Sequence, residues 1–145
     1  MATPKANKIY LRLKTANAAH IFMYIFHYQF QIYLENTFQI PPESYSLESA
    51  IDGNVITITL ESKEIPINKI VEECKAFPKK LKITKSAING AISLITIKTG
   101  LRGKIKNYNN LIQELSAPNL LDKKPAPTDD ALESDSIIFY PQDNI

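Results

Sequence analysis

Histidine, cysteine and paired glutamate side chains are the groups in this 145-residue chain best suited to acid, base or nucleophilic chemistry. His20 and His27 stand seven residues apart, so on a helix they share a face but lie about 10 Å apart, too far to bind one metal ion. Cys74 falls on the apolar stripe of a predicted helix and is interpreted as a small buried hydrophobe. Glu72 and Glu73 are adjacent and point in different directions, which disfavours an acid/base pair. These side chains therefore predict no catalytic residue and no metal site.

Sequence motifs for catalysis and cofactor binding are missing as well. The chain has no G-x-S-x-G, H-E-x-x-H or C-x-x-C motif and no Walker or dinucleotide-binding loop. Gly100 and Gly103 lie on either side of Arg102 in the sequence, and Lys104 follows. A helix that begins there could hold an anion on its first backbone amides, with Arg102 and Lys104 adding positive charge. Ordinary turn glycines are the favoured interpretation of this pair. We therefore expect a non-enzymatic protein without a cofactor. A small enzyme is the third hypothesis, which a deep polar pocket around His20, His27 or Cys74 would favour.

Charge is unevenly distributed along the chain, although the formal net charge is only +2. Residues 78–108 carry eight cationic side chains and no acid, whereas residues 109–145 carry seven acids against two lysines. One interpretation is that this basic block neutralises phosphates of a nucleic acid. A second is that it is an ordinary solvated surface. A third is that the acidic tail folds back over the basic block and screens its charge. The candidate contacts to nucleic acid or another anion are Lys79, Lys80, Lys82, Lys85, Arg102, Lys104 and Lys106.

The single cysteine and the polar N-terminus indicate the setting of the protein. One cysteine cannot form an internal disulfide, and the sequence "MATPKAN" does not resemble a secretory signal, so a cytoplasmic location is expected. No charged side chain occurs between Lys14 and Glu35, a span of membrane-crossing length. Its histidine, glutamine and asparagine side chains would be costly in hydrocarbon, however, so neither a membrane span nor a membrane partner is expected.

Residues 8–36 contain the first strand and the first helix. "KIYLRLKT" alternates apolar and polar side chains, the period of a half-buried strand. Thr15 is placed to cap a helix over residues 16 to about 28, whose aromatic side chains recur at three- and four-residue steps. From Phe26 to Leu34 the residues also alternate, so residues 28–36 are open to either helix or strand.

Two similar stretches, residues 48–60 and 85–97, each contain a turn dipeptide. Asp52-Gly53 and Asn89-Gly90 both accept the positive φ angles of a type I′ turn, so each stretch predicts a β-hairpin. Helical apolar spacing follows both: residues 66–77, bounded by prolines, and residues 101–116. The short similarity is better explained by shared hairpin chemistry than by duplication.

Together these elements predict an α+β fold, an antiparallel sheet with helices on one face. The order matches a ferredoxin-like βαββαβ core extended by a C-terminal hairpin strand and helix. Residues 1–7 are predicted to be a flexible N-terminus, 8–117 a single domain, and 118–145 a disordered acidic tail rich in Pro, Asp and Ser. Within the tail an apolar island is a candidate partner-binding segment that adds to a sheet edge, or else a last strand of the same domain. The island comprises Ile137, Ile138, Phe139 and Tyr140.

The function that follows is the binding of another macromolecule. A protein–protein interaction or adaptor module is the leading hypothesis, because catalytic motifs are missing and the aromatic residues and the apolar island offer interface anchors. Homo-oligomerisation through a sheet edge belongs to the same class. The alternative is a nucleic-acid-binding protein that uses the basic block at residues 79–106.

Overall fold

A computed structural model describes residues 5–121, 123–126 and 136–141 of the chain. Its strands are β1 (Lys5–Arg12), β2 (Tyr45–Asp52), β3 (Val55–Ser62), β4 (Leu101–Ile105), β5 (Asn119–Leu121) and β6 (Ile137–Pro141). Its α-helices are α1 (Ala16–Phe38), α2 (Ile67–Ala76), α3 (Lys85–Thr99) and α4 (Tyr108–Leu115). Short 3-10 turns occupy Pro42–Ser44 and Phe77–Lys79. The predicted α+β class with an antiparallel sheet is confirmed.

Four strands form the larger sheet in the order β2-β3-β1-β5, with every neighbouring pair antiparallel. The alternation of β1 buries Ile9 and Leu11 on one face, as the sequence predicts. The first hairpin is confirmed, but its turn is centred one residue later than expected. Asp52 pairs with Val55, and only Gly53 of the two intervening residues has a positive φ, of 60°. One positive φ, at the first central residue, is the pattern of a type II′ turn rather than type I′.

Helix α1 is the centre of the fold and extends to Phe38. Residues 28–36, for which the sequence allowed either helix or strand, are therefore helical. The Thr15 side chain accepts a hydrogen bond from the amide of Ala18, which satisfies an otherwise unpaired donor at the helix start. Buried side chains lie along most of the helix length: Ala18, Ala19, Ile21, Phe22, Ile25, Phe26, Phe30 and Leu34. They pack between the larger sheet on one side and α3, α4 and β6 on the other.

The second layer consists of α3, α4 and a two-stranded sheet made by β4 and β6. Gly103 of β4 lies directly under α3. A Cβ atom at this position would lie 3.0 Å from side-chain carbons of both Ile92 and Phe139. The missing side chain therefore lets helix α3 and strand β6 close against β4.

The order of elements after α2 departs from the prediction. Asn89 and Gly90 lie within helix α3 rather than in a hairpin turn, because Ile88, Ala91 and Ile95 bury one face of a helix against the core. The predicted helix over residues 101–116 is divided into strand β4 and the shorter helix α4. The chain begins βαββα as predicted and continues with a helix, so a ferredoxin-like core is not confirmed.

Parts of the predicted N-terminal and C-terminal tails are ordered. Strand β1 begins at Lys5, inside the segment predicted to be flexible, and residues 1–4 lie outside the described residues. Strands β5 and β6 fall within the tail predicted to be disordered, so that prediction is wrong for these residues. Arg12 donates a hydrogen bond to the carbonyl of Ala126. None of the helices in the described ranges is long and apolar enough to cross a membrane.

Candidate functional site

A cleft runs along the outer side of the molecule between α1 and α3, which lie antiparallel. It has two connected parts with volumes of about 330 and 340 Å³ that share Tyr24, Tyr28 and Leu94. Ser49 of strand β2 lines the first part, and Gly90 of α3 lines the second. The remaining lining residues are Met23, Ile25, His27, Gln29, Gln31, Thr84, Ser86, Ala87, Ala91 and Lys98.

Large apolar side chains are exposed at and near this cleft. Tyr28 is 64% exposed and Ile97 is 79% exposed, and Ile32 and Leu94 are also exposed. Tyr28 and Ile32 are four residues apart on α1, while Leu94 and Ile97 are three apart on α3, so each pair shares a helix face. Single exposed apolar residues are common on protein surfaces, whereas these four are grouped along two adjacent helices.

The first part of the cleft contains the imidazole of His27 and the ammonium group of Lys98. The Nδ1 atom of His27 lies 2.9 Å from Ser49 Oγ, within hydrogen-bonding distance. Burial lowers the pKa of the His27 imidazole below its ordinary value of 6.5, and the positive charge of Lys98 lowers this pKa further. The ammonium group of Lys98 lies 5.9 Å from the centre of the Tyr24 ring, a cation–π contact. At neutral pH the cleft therefore carries a neutral imidazole and one positive charge.

The His27–Ser49 pair has one feature of a nucleophilic site, since a neutral imidazole can accept the proton of a serine hydroxyl. Such sites also need a group that orients the base. No carboxylate in the described part of the chain forms a hydrogen bond with His27, and the neighbouring charge that acts on it is positive. The arrangement is better suited to binding polar groups at one end of an apolar cleft.

The other chemically capable residues are dispersed. His20 packs against the rings of Tyr24 and Phe139, with centroid distances of 5.8 and 6.1 Å, and burial lowers its pKa. Cys74 is fully buried, as its place on an apolar stripe predicts, and burial raises its thiol pKa to about 11. Within the described ranges, no group of three His, Cys, Asp or Glu side chains could hold a metal ion.

The basic block is divided by helix α3. Lys85 and Lys98 lie at opposite ends of this helix, about 20 Å apart by the helical rise. Lys79, Lys80 and Lys82 precede the helix, while Arg102, Lys104 and Lys106 follow it. The two groups are separated in the sequence but approach each other in space, because the chain returns along α3 after β4. The Lys85 ammonium group lies 5.2 Å from the centre of the Tyr108 ring, and Tyr108 follows Lys106 by two residues.

Arg102 and Lys104 meet the apolar island across the smaller sheet. Arg102 pairs with Tyr140, and Lys104 pairs with Ile138, in the antiparallel register of β4 and β6. All four side chains are exposed and occupy one face. Ile137 and Phe139 point to the opposite face, towards the core. The apolar island is thus a strand of this chain's own sheet.

Sequence reasoning missed most residues of the cleft. Tyr28, Ser49 and Leu94 come from three different elements and lie at least 21 residues apart in the sequence, so no local motif relates them. One signal for α3 was present in the sequence. Thr84 caps the helix by accepting a hydrogen bond from the amide of Ala87, and Gly100 ends it with a φ of 73°.

The chain was also compared with known proteins. No protein-family model matches it, and neither a curated protein nor a solved structure does.

Proposed function

We propose that this protein is a non-enzymatic protein-binding module, and that the α1–α3 cleft accepts an amphipathic, acidic helical segment of a partner protein. The observation that carries the proposal is the exposed apolar surface formed by Tyr28, Ile32, Leu94 and Ile97 around the cleft. Helix-in-groove recognition uses a surface of this kind, with apolar anchors spaced three, four or seven residues apart on the incoming helix.

Charge favours an acidic partner. Lys98 is the only residue with a full charge among those lining the cleft. Helix α3 carries no acidic side chain along its length, and Lys85 lies at its beginning. Complementary charge accelerates association and selects among partners, and it contributes less to affinity than apolar burial does. A segment with glutamates beside its apolar stripe therefore fits this surface better than a basic segment of equal hydrophobicity.

Gly90 supports the same proposal. It lies in the interior of α3, where glycine destabilises a helix by about 1 kcal/mol relative to alanine. A Cβ atom added there would meet no atom of the described residues within 4 Å, so packing among these residues does not require a glycine. The residue lines the second part of the cleft. A glycine there leaves room for the backbone of another helix to approach α3 closely.

Fluorescence anisotropy with two labelled helical peptides tests the proposal. Both peptides carry the same leucine stripe, and one has glutamates where the other has lysines. We expect the glutamate peptide to bind more tightly, and Tyr28→Ala to weaken its binding by at least about fivefold, the loss typical of an interface anchor. Tyr140→Ala is the matched control, since Tyr140 is an exposed tyrosine on the smaller sheet.

The charge argument has its own control. Lys98→Glu should reverse the preference between the two peptides, whereas Lys104→Glu on β4 should leave it unchanged. Equal binding of both peptides, or binding that Tyr28→Ala and Tyr140→Ala weaken equally, would contradict the proposed site. The cytoplasmic location expected from the single cysteine is part of the same proposal.

Nucleic-acid binding is a second candidate function, favoured by the exposed face of the smaller sheet. Arg102 and Lys104 stand beside Tyr140 there, and single-stranded nucleic acids bind surfaces that combine positive charge with stacking aromatic rings. Anisotropy with labelled single-stranded RNA and duplex DNA at about 50 and 200 mM salt tests it, because binding through phosphates falls steeply over this range. The full chain must be used, since ending it at Ala117 would remove β5 and β6. Salt-insensitive binding, or none, would reject this candidate.

A further inference from the structure

Strand β2 is an edge strand with eight residues and a continuous register against β3. No described strand pairs with its outer side. Edge strands are normally protected by lysine, proline or a bulge, because their unpaired backbone groups attract other strands. Residues 45–52 contain neither lysine nor proline, and their pairing with β3 shows no bulge.

The turn at Gly53 determines which backbone groups face outward. Asp52 and Val55 close a two-residue turn, so they form a hydrogen-bonded pair that exchanges both backbone bonds. Every second residue before Asp52 then bonds to β3. The outward N–H and C=O groups belong to Tyr45, Leu47, Ser49 and Ile51. A second β2 strand running antiparallel would pair these odd-numbered residues with one another.

Charge and hydrophobicity select one register among the possible antiparallel pairings. If Ser49 lies on the two-fold axis opposite its own copy, Leu47 faces Ile51 of the second copy and Glu48 faces Ala50. The neighbouring register places Glu48 opposite Glu48, and the one on the other side places Glu48 opposite Asp52. Like charges directly opposite each other are destabilising, which disfavours both neighbouring registers. The register centred on Leu47 also avoids these repulsions, but it pairs only five residues of each β2 strand instead of seven and places Tyr45 opposite Ser49. The register centred on Ser49 therefore gives the longest pairing without like-charge contacts.

From this self-complementarity we infer that the protein forms a two-fold symmetric homodimer in which the β2 strands of two copies pair through Ser49. Three hydrogen-bonded residue pairs, with two bonds each, would give about six backbone hydrogen bonds across the axis. Leu47 and Ile51 lie on the face of β2 packed against the core, so their contacts extend that core across the interface. Ser49 also lines the cleft with His27, so the two clefts lie side by side. The dimer would therefore present two binding sites on one surface.

Sedimentation velocity of the full-length chain from about 1 to 500 µM tests this inference, a range that covers weak and transient association. Dimerisation of the unchanged chain is the first expected result. Ala50 is exposed and its side chain lies on the outer face, so substitutions there leave the core intact. Ala50→Glu should weaken the dimer and Ala50→Lys should strengthen it, each by roughly two- to thirtyfold, because symmetry changes two cross-strand pairs at once.

A charge exchange serves as the matched control. The double variant Glu48→Lys with Ala50→Glu restores opposite charges across the axis and should recover the dimerisation lost in Ala50→Glu alone. Circular dichroism of each variant reports whether the fold is retained. A monomer at all concentrations would overturn the inference, and so would a dimer whose dissociation constant responds to neither charge at position 50.

Discussion

Replacing Gly90 with alanine is expected to stabilise the protein, although Asn89-Gly90 resembles a turn in the sequence. Gly90 is the sixth of the 15 residues in α3, so it occupies the helix interior and has no capping role. It is exposed, its φ is not in the left-handed region, and an added Cβ atom meets no atom within 4 Å in the part of the chain that the structure describes. Nothing therefore opposes the difference in helix propensity, and the free energy of unfolding should rise by about 1 kcal/mol.

Urea unfolding followed by circular dichroism measures this change, and thermal unfolding should show a rise in Tm of about 3 °C for a chain of this size. Gly100→Ala is a matched control on the same helix. Its φ of 73° is costly for any residue with a Cβ atom, so the same substitution should there lower the free energy of unfolding by about 1 to 2 kcal/mol.

A destabilising effect of Gly90→Ala would refute the reasoning. If Asn89 and Gly90 formed a hairpin turn, Gly90 would need a positive φ, and alanine would be strained there as it is at Gly100. The sign of the change at Gly90 thus distinguishes a continuous helix from the hairpin that the sequence suggested. The opposite signs expected at the two glycines exclude a general effect of adding a methyl group.

Three further outcomes are expected. Gly103→Ala should lower the free energy of unfolding by about 1 to 3 kcal/mol, because the added Cβ atom would press on α3 and β6. Urea unfolding that shows an unchanged free energy of unfolding would contradict this packing. The folded-state pKa of His27 lies below 6.5, so the unfolded chain binds the proton more readily and the free energy of unfolding should fall as the pH drops below 6.5. His27→Gln should reduce this pH dependence. An NMR titration that gives a pKa of 6.5 or more for His27 would argue against it. Cys74, with its raised pKa and full burial, should react with a thiol reagent at pH 8 only after denaturation, and rapid reaction of the native protein would show that it is accessible.

The sequence predicted the N-terminal half of the fold well because local and tertiary signals agree there. The local signals are the alternation in β1, the Thr15 cap of α1 and the apolar stripe of α2. Each of these elements also buries its apolar side chains in the same core, which stabilises the structure that the local signal favours. At Asn89-Gly90 the two signals conflict. The preference of two residues for a turn is small beside the burial of Ile88 and Ile95 against α1, so the helix prevails.

The C-terminal half and the cleft were harder to predict for different reasons. Strand β4 has only five residues and includes Gly103, whose place is determined by side chains distant in the sequence. Strand β6 lies in a polar, proline-rich context that resembles disorder until Ile137 is buried beside α1. The candidate basic residues are exposed, and their role as anion contacts stays a prediction. Their arrangement around α3 depends on a helix that the sequence misassigned.

Pairing of β4 with β6 also constrains when the protein can fold. In the described part of the chain β4 pairs with β6 alone, and more than 30 residues separate the two strands. Strand β1 likewise gains its second neighbour, β5, about 110 residues after its own synthesis. During translation α1 and the β2–β3 hairpin can associate early, whereas the smaller sheet must wait until Ile137–Pro141 has left the ribosome. Until then β4 lacks its strand partner and, among the described elements, has chiefly α3 to pack against.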